Sequence, residues 1–355
     1  MNKIGKWLHR LFIDGLSGMA LGLFATLIVG TILKQFGDLI GGTVGNYMYA
    51  IGVVAGCLTG AGIGCGVACK FKEAPLVVVS AAVAGMIGGC ATDIINNTLI
   101  NDAGRIVLKV SEPLGAFVAA YIAIEVGHIV SGKTKVDIII TPVLSICSGA
   151  VVGLIVGPPI STFMIYLGDI IIWATEQAPF LMGIIVSVVM GVVLTLPISS
   201  AALGVMLGLS GLAAGAATVG CCVNMVGFAV ISYRENKVGG LIAQGVGTSM
   251  LQVPNLIKKP VLWLPVVLTS AILGPVSTML FHMTNNKVGS GMGSAGLVGQ
   301  ITTYGDMVAK DGAVVTIVKI IIIQFVLPAI LCLMMSEFMR KRGWIKQGDL
   351  KLDIN

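Results

Sequence analysis

In the apolar run PLGAFVAAYIAIEVGHIV (113–130), a carboxylate and an imidazole stand three residues apart, so Glu125 and His128 share one helix face. Ionisable groups within apolar runs are costly to bury and mark binding sites or proton paths. A carboxylate there accepts hydrogen bonds from hydroxyl groups, and the ring takes or gives a proton. The plainer alternative places His128 at the helix end among headgroups, where it only neighbours Glu125. Neutral chemistry is offered further along. NMVG (224–227) sets Asn224 and Gly227 in an apolar stretch, Asn285 and Asn286 stand together, and Ser294 and Gln300 follow within VGSGMGSAGLVGQ (288–300). Amides donate and accept without carrying charge, which suits a hydroxylated solute. They also serve as helix caps or loop fasteners, and the sequence leaves both uses open.

The glycine-rich stretch contains G-x-G-x-x-G at Gly291, Gly293 and Gly296. That pattern cradles a dinucleotide only when a strand leads into it and a helix leaves it. Here FHMTNNK precedes it, with no β-branched apolar run, so a nucleotide-binding turn is not expected. The glycines instead fit a re-entrant hairpin or unwound segment whose backbone lines a polar cavity, facing the stretch around Asn224.

The elements that must position these residues follow from composition. Of 355 residues, 56% are hydrophobic and 11% charged, with a mean hydropathy of +0.99. Soluble domains carry about 25% charged residues, and a fold of this size cannot hide so apolar a chain from water. The sequence therefore reads as an all-α integral membrane protein. Its 48 glycines fit close approach between helices in lipid. Eight cysteines lie in apolar segments with no C-x-x-C pair or histidine cluster, and they read as small buried hydrophobes. No metal site and no cofactor is expected. The net charge of +6 gives no reason to expect nucleic acid, because the basic residues gather at the ends of apolar runs. No H-E-x-x-H, G-x-S-x-G or paired intramembrane aspartate occurs, and no residue is assigned a catalytic role.

With about 20 residues needed per crossing, ten spans are expected. They fall at 11–33, 47–69, 74–92, 113–131, 138–157, 160–175, 179–197, 198–232, 261–281 and 313–336. The run 198–232 is too long for one crossing and is expected to hold a re-entrant element. Basic residues gather in alternate loops: Lys3, Lys6 and Arg10; Lys70 and Lys72; Lys133 and Lys135; Arg234, Lys237, Lys258 and Lys259; and Arg340, Lys341, Arg342, Lys346 and Lys351. That bias places both termini in the cytoplasm. Lys319, inside the last span, is expected to snorkel to the outer boundary. The amphipathic stretch 238–260 reads as an interfacial helix or as a docking surface for a soluble partner.

The stretches YIAIEVGH (121–128), GTSMLQVPNLIKKP (247–260), SAILGPVSTMLF (270–281) and NNKVGSGMGSAGLVGQ (285–300) resemble a known family. It is the membrane subunit, enzyme IIC, of the bacterial sugar phosphotransferase system, in the perfringolysin-regulator-like (toxin-regulator) branch. The resemblance implies a multi-pass protein of the bacterial cytoplasmic membrane, a homodimer of about ten transmembrane helices each. It implies re-entrant hairpins around a sugar site in the C-terminal half, with NMVG near the first hairpin and GSGMGSAG near the second. On this plan, 1–175 is a scaffold and dimerisation half, 176–336 holds the re-entrant elements and the substrate site, and 337–355 is a cytoplasmic tail. Many sugar-transporting relatives place a glutamate, in a G-x-T-E-type motif, at the second hairpin. This sequence has no acidic residue from Leu280 to Thr303.

Two functions follow. One is a permease subunit that translocates a small polar solute, a sugar or sugar derivative, which separate soluble IIA and IIB subunits phosphorylate. The other is a membrane-bound regulator that keeps the fold without phosphorylation-coupled transport. The glycine-rich hairpin favours the first, and the missing glutamate favours the second.

Overall fold

The computed structural model describes residues 7, 9–100, 105, 106, 108, 112–175, 177–198 and 200–352. Lys3 and Lys6, assigned above to the cytoplasmic side, lie outside them. Among the described residues the β pairings are two isolated bridges, Ile100 with Ile106 and Gly211 with Asn285; the rest is helix and turn. Six helices are long and apolar enough to cross a membrane, and a bent pair makes a seventh if counted as one span. Two shorter apolar helices accompany them. The chain packs as two compact units, one reaching to Met164 and the other covering Ile165–Asp353.

The first unit holds α1 (Arg10–Asp38), then α2 (Gly42–Cys57) and α3 (Thr59–Lys70), which meet at 57°. The stretch expected as one span at 47–69 is this bent pair. α4 (Pro75–Gly89), the short α5 (Ala91–Ile95) and α6 (Pro113–Val130) follow. Proline opens both α4 and α6, where its missing N–H has no helical partner to lose. α1 lies directly on α3: a Cβ on Gly18 would stand 2.7 Å from the Gly66 carbonyl oxygen. Small residues are what lets two helices approach this closely in lipid.

α7 (Asp137–Thr175) corrects the sequence reading. Two spans parted at Pro158-Pro159 were expected, yet one helix of 39 residues runs through both prolines. Its 39 residues are well beyond the ~20 that one crossing needs. The prolines withhold two N–H groups from the carbonyls one turn back. Unwinding the helix in apolar surroundings would strand more backbone groups than that.

The second unit contains α8 (Pro179–Thr195), α9 (Ser200–Met206), α10 (Gly211–Ile231), α11 (Tyr233–Ile242), α12 (Val253–Lys258), α13 (Pro260–Leu280), α14 (Val298–Asp311) and α15 (Ala313–Lys341). α10 is its axis, with 94% of its most apolar window buried, against 22% for the start of α7. The side of α10 that meets α8 is built from small residues, so Gly220 sits on the Ser187 carbonyl. The overlong run 198–232 resolves into α9, a turn through Gly208 and Gly211 at φ +60° and +59°, and α10.

Two smaller expectations change, and a third gains its partners. The stretch 238–260 is neither one interfacial helix nor an open surface: it breaks into short turns and buries Gln244, Ser249 and Gln252. Lys319, read as snorkelling, holds its ammonium 2.8 Å from Asp311 and donates to the Phe281 carbonyl at 2.9 Å, groups at the ends of α14 and α13. Cys69 and Cys147 are exposed, although Cys90, Cys221, Cys222 and Cys332 are buried as small apolar groups.

Candidate functional site

The chain between α13 and α14 is unwound and largely buried, and its side chains explain how it holds that shape. Asn285 is fully buried and donates to Thr218 Oγ1 at 2.8 Å, Thr303 Oγ1 at 3.0 Å and the Gly299 carbonyl at 3.2 Å. Its own oxygen accepts the Asn286 N–H at 2.8 Å. Asn286 accepts the N–H groups of Val288 and Gly289 at 2.9 and 3.2 Å, a local turn of the kind Asn favours. Both amides thus fasten the segment to itself and to α10 and α14.

The glycines then lay the segment on α9 and α10. Ser200 Oγ donates to the Gly291 carbonyl at 2.7 Å, and a Cβ on Gly291 would strike the Ser200 carbonyl. Gly293 has φ +53°, and a Cβ there would stand 2.8 Å from the Cys221 carbonyl carbon. Ser294 Oγ donates to the Gly245 carbonyl at 2.5 Å, and Gln300 Nε2 reaches Cys222 Sγ at 3.3 Å.

Asn224 lies one residue pair further along α10. Its oxygen accepts from Thr195 Oγ1 at 3.2 Å, and its nitrogen donates to the Gly220 carbonyl at 3.0 Å and to Ser270 Oγ at 3.5 Å. Thr195 also shares a hydrogen bond with Ser249 Oγ at 2.8 Å. These buried groups from α8, α10, α13 and the turn Ser249–Gln252 form one polar cluster. Gly227 points elsewhere: a Cβ there would meet Cys332 Sγ at 2.7 Å and Val266 Cγ1 at 3.0 Å, a helix-packing contact.

Two amide oxygens beside this arrangement have no protein donor. Thr303 gives its hydroxyl proton to the Gly299 carbonyl at 2.7 Å, so towards Gln324 it only accepts, from Nε2 at 3.1 Å. That fixes the orientation of the Gln324 amide and leaves Oε1 buried with no donor. Gln300 Oε1 is buried without a donor as well. Gln300 and Thr303 stand three apart on α14, and Gln324 of α15 reaches that face through its Nε2 bond to Thr303. A buried acceptor without a protein donor is uncommon and takes its hydrogen bond from water or from a bound molecule. Gln324 went unremarked in the sequence, where its signal is a lone amide in the apolar run IIIIQFV.

Glu125 and His128 lie in the first unit and join an ion-pair chain. Glu73 is the centre of it, its side chain 6% exposed, with Arg10 Nη2 and His128 Nδ1 each at 2.9 Å. Arg10 Nε also lies 3.5 Å from Glu125 Oε1, too poorly aligned for a hydrogen bond, and Oε1 is buried with no donor. The Arg10 guanidinium stacks 4.4 Å from the centroid of Phe71. Sequence spacing found the i, i+3 pair but not the buried Glu73 that links His128 to Arg10. Among the described residues no group of three His, Cys, Asp or Glu side chains gathers to hold a metal ion.

A family model described as "Phosphotransferase system, EIIC" matches residues 13–352. The chain belongs to this family. A comparison with curated proteins gives no match. Membership makes the chain a multi-pass membrane component of a phosphotransferase system and implies transport of that type. In this EIIC chain the segment after α15 is tied down by amides. Asn236 donates to the Leu350 carbonyl and accepts the Leu352 N–H, both at 2.8 Å. Gln252 donates to the same Leu350 carbonyl at 3.1 Å, Asn255 donates to the Lys351 carbonyl at 2.9 Å, and Lys259 pairs with Asp349 at 2.6 Å. Burial raises the Asp349 carboxyl, but the Lys259 hydrogen bond, the Lys346 N–H and both lysine charges outweigh it and hold it below 3.8.

Proposed function

We propose that this EIIC chain is the permease subunit for a small, uncharged, hydroxylated solute, a sugar or sugar derivative, which separate IIA and IIB subunits phosphorylate. The observation that carries this reading is the two buried, donorless amide oxygens of Gln300 on α14 and Gln324 on α15. Neutral acceptors suit hydroxyl groups, and a binding site made of them discriminates strongly against solutes lacking a hydroxyl at that position. In the proposal Asn224, Ser294, Asn285 and Asn286 support those amides, and Gly291 and Gly293 let the unwound segment approach α9 and α10. Gly227 contributes by admitting α15 to α10. Glu125 and His128, in the first unit, enter the proposal separately, as a carboxylate and an imidazole on the path of the solute or of a proton, with Arg10 Nε 3.5 Å from Glu125 Oε1. We assign both termini to the cytoplasm, and the scaffold and dimerisation role to residues 1–175.

The second reading is a membrane-bound regulator of the toxin-regulator branch, favoured by the absence of any carboxylate between Leu280 and Thr303. Uptake separates the two. Cells carrying the chain and its phosphotransferase partners should accumulate one labelled sugar or sugar acid of a panel as its phosphate. Binding of a solute without accumulation would overturn the permease reading and leave the regulator.

A further inference from the structure

The end of α15 carries a surface apart from the residues of the candidate site. Leu264 and Leu268 of α13, Met334, Phe338 and Met339 of α15, and Trp344 just beyond it line an apolar groove of about 340 Å³. Phe338 and Trp344 remain 54% and 50% exposed. A half-exposed Trp just past the end of an apolar span is the mark of a membrane–water boundary. At the rim, the Arg342 guanidinium lies over the Phe338 ring, 5.4 Å from its centroid.

The charges around this rim are unequally used. Arg340 pairs with Glu235 at 2.9 Å, Arg234 with Glu337 at 3.0 Å and Lys259 with Asp349 at 2.6 Å. Lys341 and Arg342 are exposed, and among the described residues neither has a carboxylate within ion-pair distance. An apolar floor with unpaired cations at one end matches a ligand with an apolar chain and an anionic head.

We propose that this groove seats an acyl chain of an anionic phospholipid, with the headgroup phosphate held by Arg342 and Lys341. A guanidinium presents a planar fork that matches phosphate oxygens, and stacking on Phe338 holds that fork at the rim. A second copy of the chain fits the face less well. A two-fold contact through this groove would bring the same unpaired cations towards each other. A zwitterionic lipid would fill the floor but leave the cations without net compensation.

The test uses the full chain in phosphatidylcholine vesicles with Trp344 as its single tryptophan, and lipids brominated on the acyl chain as quenchers. Brominated phosphatidylglycerol should quench Trp344 with about fivefold higher relative affinity than brominated phosphatidylcholine, the effect expected of one basic residue near an anionic headgroup. Arg342→Gln should remove that preference, and Arg342→Lys should restore part of it. Native mass spectrometry of the unaltered chain, which avoids the tryptophan replacements, should show phosphatidylglycerol retained over phosphatidylcholine. Equal quenching by both lipids would overturn the proposal, as would a preference that survives Arg342→Gln. Absence of quenching by either lipid would overturn it too, since the groove would then be covered by protein.

Discussion

Gly293 lies against Cys221 so closely that a Cβ on the glycine would stand 2.8 Å from the Cys221 carbonyl carbon. Its φ of +53° is also one that other residues adopt only at a cost of about 1 kcal/mol or more. Neither obstacle can relax by swinging a side chain, because the atom met is backbone. Gly293→Ala should therefore lower the thermal midpoint in detergent clearly, and Gly293→Val further. Gly305→Ala, on an open face of α14, should raise it slightly through helix propensity alone. Equal effects at the two sites would mean that the unwound segment is not packed on α10 as described.

The Asn236 clamp predicts a releasable tail. Asn236→Ala removes both hydrogen bonds to residues 350–352, and cleavage by trypsin at Lys346 should accelerate about tenfold, the effect of roughly 1.4 kcal/mol. The Asp349 carboxyl, held below 3.8, adds a pH signature. A depressed carboxylate stabilises the folded state above its ordinary value and loses that contribution as pH falls through the depressed one. The protection factor at 349–352, with the intrinsic pH dependence of exchange divided out, should thus stay high from neutral pH down to about 4 and fall only below it. Lys259→Gln should move the fall towards neutral pH.

Glu112 has the opposite sign. Burial pushes its carboxyl up to about 7 against the lowering effect of the Leu114 N–H. A carboxyl raised in the folded state is best accommodated while protonated. Its contribution is complete below 4.5 and is lost as pH rises through about 7. The protection factor at the first turn of α6, with the intrinsic pH dependence of exchange divided out, should fall between pH 5 and 8, and Glu112→Gln should flatten its profile. A flat profile in the native chain would remove Glu112 from the account.

Much of the fold was legible because lipid leaves few options: apolar runs of membrane length become helices, and their ends carry the basic residues. The bend at Leu58 and the unbroken α7 were not legible, because hydropathy is blind to direction and the prolines mislead where unwinding is worse than two lost hydrogen bonds. In the candidate site, the glycine pattern located the unwound segment. Asn285 and Asn286 were visible as amides, but their work as fasteners depends on Thr218 and Thr303, which carry no signal in sequence. Glu73 was hidden for a related reason: its loop position reads as exposed, and only packing buries it between Arg10 and His128.

That buried carboxylate yields a graded prediction. Glu73→Gln leaves Arg10 and His128 without their shared partner and should destabilise the first unit by about 1–2 kcal/mol, because water reaches both remaining side chains. Glu125→Gln should leave assembly intact but lower solute uptake about tenfold, the loss of one charged hydrogen bond. Unchanged uptake would assign Glu125 to holding Arg10.

The most direct test of the solute site is equilibrium binding to the purified native chain and to Gln324→Leu, with the solute identified by uptake. Leucine is close in size and removes the donorless acceptor together with the Nε2 bond to Thr303, whose hydroxyl keeps its Asn285 donor, so the thermal midpoint should change little. If Gln324 Oε1 takes a solute hydroxyl, affinity should nonetheless fall about tenfold or more. A variant that is as stable as the native chain and binds the solute equally well would contradict the account.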